Sequence, residues 1–174
     1  MKKKLFMLIL ATSALISADL NNIKTLKTSF VQKIKNSTNN TITYKGVMFA
    51  KKANNLALWI YNRPIYKEIY YRDGNIVVIE PDLEQATFAK LKKIPNILTL
   101  LKNAKKISEN KLVTVFNHTK YIITTDKNFV KSIQYKDEMQ NSVEIDFIKP
   151  EVNKPIDDQR FIYKIPAGYD ILKQ

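Results

Sequence analysis

The sequence predicts a mainly β domain, a curved antiparallel sheet with short helices laid over one face or mouth. Three observations carry that expectation. From Thr41 to Leu91, apolar and polar residues alternate with a period of two, broken at Gly46, Pro64, Asp73-Gly74 and Pro81-Asp82, residue types that punctuate strands. Only one later stretch carries a clear helical stripe, at Ile94, Ile97, Leu98 and Leu101. Several strands place apolar residues on both sides, as a half-open barrel with both faces covered demands.

The elements follow in order. Leu20, Ile23 and Leu26 recur at helical spacing, with Asp19 as N-cap and Lys24 and Lys27 on the outer face. Phe30, Gln32 and Ile34 then alternate, so a first strand is expected to begin near Ser29, followed by a polar turn over 36–40. In 41–51, Ile42, Tyr44, Met48 and Ala50 share one face and Val47 and Phe49 the other. In 56–61, Leu58 and Ile60 oppose Trp59 and Tyr61. A strand over 65–72 aligns Ile65, Ile69 and Tyr71, and Asp73-Gly74-Asn75 supplies the backbone freedom for a tight hairpin. Strands over 76–80 and 85–91 are joined by a turn at Pro81-Asp82.

The helix comes next, with Pro95 in its first turn, Leu100 widening its stripe, and Lys102, Lys105 and Lys106 towards its C-terminal end. Further strands are expected at 112–116, 121–125, 130–135, 143–148 and 161–165, with a polar loop over 150–159. That makes about ten or eleven strands and two or three short helices, without a repeat or a dividing linker.

The N-terminus reads as an export signal. Met1-Lys2-Lys3-Lys4 is positively charged, 5–16 is an apolar run of signal-core length, and Ala18 is small enough for cleavage before Asp19. Such a run is too short to span a hydrocarbon core of about 30 Å. The expected organisation is therefore a cleaved signal peptide over 1–18 and one domain over 19–174. Loss of Lys2, Lys3 and Lys4 removes three charges from a net +13. The remaining lysines are scattered, with Lys51-Lys52, Lys92-Lys93 and Lys105-Lys106 the pairs, which suits a solvated exterior with mild attraction to anionic lipid. Nucleic acid is not an expected ligand outside the cytoplasm.

Catalysis is not expected. The chain has no cysteine and a single histidine, His118, placed near a turn, so neither a thiol nor a metal cluster is in prospect. Asp137-Glu138 and Asp157-Asp158 read as solvated loop charge, and Glu144 and Asp146 as one outer strand face. No phosphate loop or nucleophile elbow occurs, and no cofactor is called for.

An ordered set of segments resembles a known family. Ser29-Phe30-Val31-Gln32-Lys33 is similar to the first strand of LolA, the periplasmic carrier of outer-membrane lipoproteins. Gly46-Val47-Met48-Phe49-Ala50-Lys51-Lys52 with Leu58-Trp59 resembles its second and third strands. Tyr71-Arg72-Asp73-Gly74 and Pro81-Asp82-Leu83-Glu84-Gln85-Ala86-Thr87 are similar to its hairpins, and 161–168 to its closing strand and loop. The resemblance implies an unclosed barrel of about eleven antiparallel strands with a lid of short α-helices. It also implies a hollow for acyl chains, an inner-membrane ABC transporter that releases the cargo, and an outer-membrane acceptor for a carrier that acts as a monomer.

Two departures stand out. The family often carries Arg-Pro after the second strand, with the arginine fastening the lid; here Lys52-Ala53 stands there. Lysine can donate to lid carbonyls but lacks the planar fork of arginine, so Lys52 is the expected latch in a weaker form. Ala57 occupies a position where a large apolar residue is common.

The expected acyl-chain lining is Met48, Leu58, Trp59, Ile60, Ile69, Tyr71, Phe88 and Leu91, under a lid carrying Ile94, Ile97, Leu98 and Leu101. Methionine and leucine conform to variable chains. Each of these residues could instead simply fill a core, Trp59 above all. A lipid-binding sensor or adaptor domain of the same fold is the alternative function, and a basic envelope protein without a cavity is a third.

Overall fold

The computed structural model describes residues 20–90, 97–126 and 129–174. The expected signal segment, Leu91 and Ile94 lie outside them. Twelve strands among the described residues form one sheet. They are β1 (Thr25–Lys35), β2 (Thr41–Lys51), β3 (Leu56–Arg63), β4 (Lys67–Arg72), β5 (Asn75–Glu80) and β6 (Gln85–Lys90), then α1 (Ile97–Lys102). After the helix come β7 (Lys105–Ser108), β8 (Lys111–Phe116), β9 (Thr119–Asp126), β10 (Phe129–Lys136), β11 (Ser142–Val152) and β12 (Asp170–Lys173). The order is β12-β6-β5-β4-β3-β2-β1-β11-β10-β9-β8-β7, so consecutive hairpins are joined through the long central pair β1–β11. Neighbours are antiparallel except β12, which runs parallel to β6. With β7 and β12 at its edges the barrel is unclosed.

Strand parity divides the apolar residues between two faces. Phe30, Met48, Ala50, Ala57, Tyr61, Ile123, Ile133, Val143, Ile145 and Phe147 belong to one buried cluster on the inner face. Phe49, Leu56, Leu58 and Phe161 form a second cluster on the outer face, and Val77, Ile79 and Ala86 a third. The outer clusters are covered by the segment between β11 and β12, which brings Phe161 against β2 and β3 and Ile165 and Tyr169 against β5 and β6. The Arg160 guanidinium sits 4.4 Å from the centre of the Phe49 ring, and Lys51 forms an ion pair with Asp158.

The tightest point of the sheet is at Gly46. A Cβ there would lie 2.0 Å from the Ile60 carbonyl oxygen and 2.8 Å from the Phe30 ring, so the missing side chain is what lets Phe30 lie across the strand. The register of β2 on β3 shifts between Lys45 and Gly46. At the β4–β5 hairpin, Asp73 and Gly74 take φ of 47° and 83°, the paired positive values of a two-residue turn suited to the sheet twist.

Several expectations need correction. Leu20, Ile23 and Leu26 do not form a helix: one 3-10 turn covers Leu20–Asn22 and β1 already begins at Thr25. The alternation Leu26, Thr28, Phe30, Gln32, all buried, pairs this segment with both β2 and β11, and ladder formation on two sides outweighs a three-residue apolar recurrence. Ile65 lies before β4 and is 52% exposed. Lys105 and Lys106 belong to β7, a fully exposed edge strand with no buried alternation to betray it. β11 runs to Val152, past Pro150, which shortens the expected loop. Residues 161–165 are not a strand. Asp158–Phe161 is a 3-10 turn capped by Asp157, whose carboxylate accepts from the Gln159 N–H at 3.0 Å, and the following residues pack side-on over the outer face.

Candidate functional site

The inner face encloses a hollow of about 450 Å³. Its walls come from both halves of the sheet: Ala57, Trp59, Tyr61, Ile69, Tyr71 and Ile76 from β3–β5, and Tyr121, Ile133, Tyr135 and Ile145 from β9–β11. Strands far apart in the sheet order can share one hollow only if the sheet curls around it. At one end Ile97 and Leu100 of α1 form the roof, and the helix packs on the 3-10 turn at Leu20–Asn22 and on β8. At the other end Asn117, Thr119, Lys136, Asp137 and Glu138 make a polar rim.

Aromatic rings give the walls a defined shape. Phe30 meets Trp59 and Tyr61 edge-on, each with ring centres 5.0 Å apart, and Trp59 lies 6.4 Å from Phe147 across the interior. Tyr121 and Tyr135 are 4.9 Å apart on the opposite wall. Polar groups in this interior are matched: the Tyr61 hydroxyl donates to Oε1 of buried Gln32 at 2.9 Å. Lys67 Nζ stands 4.9 Å from the centre of the Tyr61 ring.

Burial pushes the Tyr135 hydroxyl up to about 12, helped by Tyr121 and by the Asp137 carboxylate, and burial raises Tyr61 as well. An unfolded tyrosine ionises near 10.0, so between 10.0 and about 12 the folded chain holds a proton that the unfolded chain has lost. The contribution of Tyr135 to stability is therefore full below pH 10.0 and falls as pH rises towards 12. Tyr135→Phe should remove about 2 kcal/mol of that alkaline loss, read from urea midpoints at a series of pH values. Parallel curves for variant and parent would remove Tyr135 from the interior.

The expected lining residues separate by face. Trp59, Ile69 and Tyr71 stand together on the wall. Met48 shares the inner face but is wholly enclosed in the packed core beside the hollow. Leu58, Ile60 and Phe88 point to the outer face, Leu58 and Ile60 beneath Phe161 and Phe88 beneath the later part of the covering segment. The structure therefore does not bring them to the hollow: neighbours on one strand project to opposite sides. In α1, Ile97 and Leu100 face the hollow while Leu98 and Leu101 are buried in the surrounding core. Lys52 follows β2, where its N–H donates to the Lys24 carbonyl at 2.8 Å and its side chain is exposed.

Sequence reasoning missed Ala57 and Tyr61, although both share the parity of Trp59. It also missed Tyr121, Ile133, Tyr135 and Ile145, whose alternation marked strands without saying which face curls inward. His118 is exposed on the turn between β8 and β9. Among the described residues no three His, Asp or Glu side chains gather closely enough to hold a metal ion.

The family model described as outer membrane lipoprotein carrier protein LolA matches residues 21–123. The chain belongs to the LolA family. An outer-membrane lipoprotein carrier protein from Campylobacter jejuni is 35% identical over 99% of this chain and 100% of its own length. One from Helicobacter pylori is 38% identical over 89% of this chain and 83% of its own, and one from Wolinella succinogenes 31% identical over 98% and 99%. Among solved structures, an uncharacterized conserved protein from Thermus thermophilus superposes with a TM-score of 0.55 at 9% identity, covering 90% of this chain and 94% of its own. A LolA superfamily protein from Nitrosomonas europaea gives 0.50 at 6% identity, covering 82% and 91%. These last two likenesses bear on the fold alone.

Proposed function

We propose that this chain carries acylated lipoproteins through the periplasm of a Gram-negative cell, from the inner membrane to the outer membrane. The observation that carries this reading is the roofed apolar hollow, walled by Trp59, Ile69, Tyr71, Ile133 and Ile145 and closed by Ile97 and Leu100. Family membership and the names of the relatives support it. Acyl chains leaving a membrane need a dry surface, and each buried methylene contributes about 0.8 kcal/mol. Release needs the opposite. A helix whose own Ile97 and Leu100 occupy the roof competes with the cargo, so loading displaces apolar contacts that re-form on unloading. Net affinity is lowered without any charged group in the wall below the rim, and no bond is made or broken.

In this reading residues 1–18 direct export and are removed, an inner-membrane ABC transporter supplies the cargo, and an outer-membrane acceptor receives it from a monomeric carrier. Lys52 stands in for the lid-fastening arginine. The test is release of a labelled lipoprotein from spheroplasts. Release should require the added protein and should fail for a cargo lacking acyl chains. Equal release with and without the protein would end the carrier assignment.

A further inference from the structure

A second cavity, of about 760 Å³, opens mainly on the outer face of the sheet and reaches Tyr71, Ile76 and Ala89 at the strand ends. Its floor is the outer face of β4–β6, where Tyr70, Val77 and Phe88 sit side by side in register. Its wall is Phe161, Ile162 and Tyr163 of the covering segment. Tyr163 meets Tyr70 and Phe88 edge-on, with ring centres 6.0 and 5.8 Å apart. Ile162 and Tyr163 remain 47% and 42% exposed, so the apolar wall is open to a ligand.

The rim differs sharply in character. Arg72 and Lys90 flank Asn75 in the adjoining register row, and Lys173 of β12 pairs with Phe88. All three cations are exposed, and among the described residues none of them is in an ion pair. No aspartate or glutamate lines the groove. Glu68, on the same face of β4, accepts from the hydroxyls of Tyr66 and Tyr70, the latter at 2.6 Å.

We propose that this outer groove binds a long-chain fatty-acid anion, its alkyl chain along Tyr70, Val77, Phe88 and Tyr163 and its carboxylate between Arg72, Lys90 and Lys173. The volume falls in the range of small-molecule sites, and aromatic walls with a few convergent charges are their usual lining. A cationic rim above an apolar floor selects an anionic head over a neutral or cationic one. Tyr71 and Ile76 border both this groove and the roofed hollow, so the two are told apart by residues that belong to one alone, Val77, Phe88 and Tyr163 against Trp59 and Ile133.

The test is an NMR titration of the full chain with dodecanoate below its micelle concentration, beside dodecyltrimethylammonium as the cationic counterpart. Dodecanoate should shift the resonances of Val77, Phe88 and Tyr163, and the cationic detergent should leave them unmoved. In a Lys90→Glu, Lys173→Glu variant those shifts should need at least about tenfold more dodecanoate, a loss of about 1.4 kcal/mol. Both positions are exposed, and the spectrum itself reports the fold. Shifts confined to inner residues such as Trp59 and Ile133 would overturn the proposal. So would equal binding of the cationic detergent at Val77 and Phe88, or an unaltered titration in the double variant.

Discussion

Gly46→Val is expected to cost about 3 kcal/mol or more, lowering the melting temperature by about 10 °C. The reason is local and steric. The first side-chain carbon would stand 2.0 Å from the Ile60 carbonyl oxygen, a backbone atom held in the β2–β3 ladder, and 2.8 Å from two atoms of the Phe30 ring. Phe30 is 1% exposed and touches both Trp59 and Tyr61, so it has nowhere to retreat. Trimming Phe30 to leucine should not rescue the variant, because the carbonyl clash remains. Thermal and urea unfolding followed by circular dichroism decide the matter. A Gly46→Val protein melting within about 2 °C of the parent would mean that the strands part freely here.

The second large effect concerns the roof. Leu100→Glu is expected to reduce lipoprotein release from spheroplasts at least about tenfold, while Leu100→Ala keeps it. Leu100 is 5% exposed and lines the hollow beside Ile97. A carboxylate at this point must either enter an apolar space without a partner or drag α1 away from β8, and both outcomes deprive acyl chains of their dry roof. Alanine merely enlarges the hollow. The sheet carries the rest of the core, so the glutamate variant should retain the strand signature in circular dichroism. Full release by Leu100→Glu would show that cargo does not contact this helix.

Much of the sheet was legible in the residues, and the reasons are physical. After β3, β4 and β5 the breaks carry Pro64, Asp73-Gly74 and Pro81-Asp82, residues that turn the chain, so the succession of strands followed directly. Parity also told which residues share a side: Tyr44, Met48 and Ala50 lie inward, Val47 and Phe49 outward. It could not tell which side curls inward. The outer face is apolar as well, because the segment carrying Phe161 and Ile165 covers it. Leu58, Ile60 and Phe88 therefore looked as suitable for the hollow as Trp59 and Ile69.

Elements whose stability comes from distant partners were the ones misread. Leu26 at helical spacing from Ile23 is a strand residue because β2 and β11 flank it. The edge strands β7 and β12 are fully exposed and show no buried period at all. The walls from β9 to β11 were legible as strands but not as a site, since only the closing curl of the sheet brings Tyr135 and Ile145 opposite Trp59.

Trp59 makes the central claim directly measurable. It is the single tryptophan of the chain and stands on the wall of the hollow. A triacylated lipopeptide with brominated acyl chains should quench its fluorescence in proportion to bound cargo, and the same peptide without acyl chains should not. Bound brominated cargo that leaves the Trp59 emission unchanged would place the fatty tails elsewhere on the molecule.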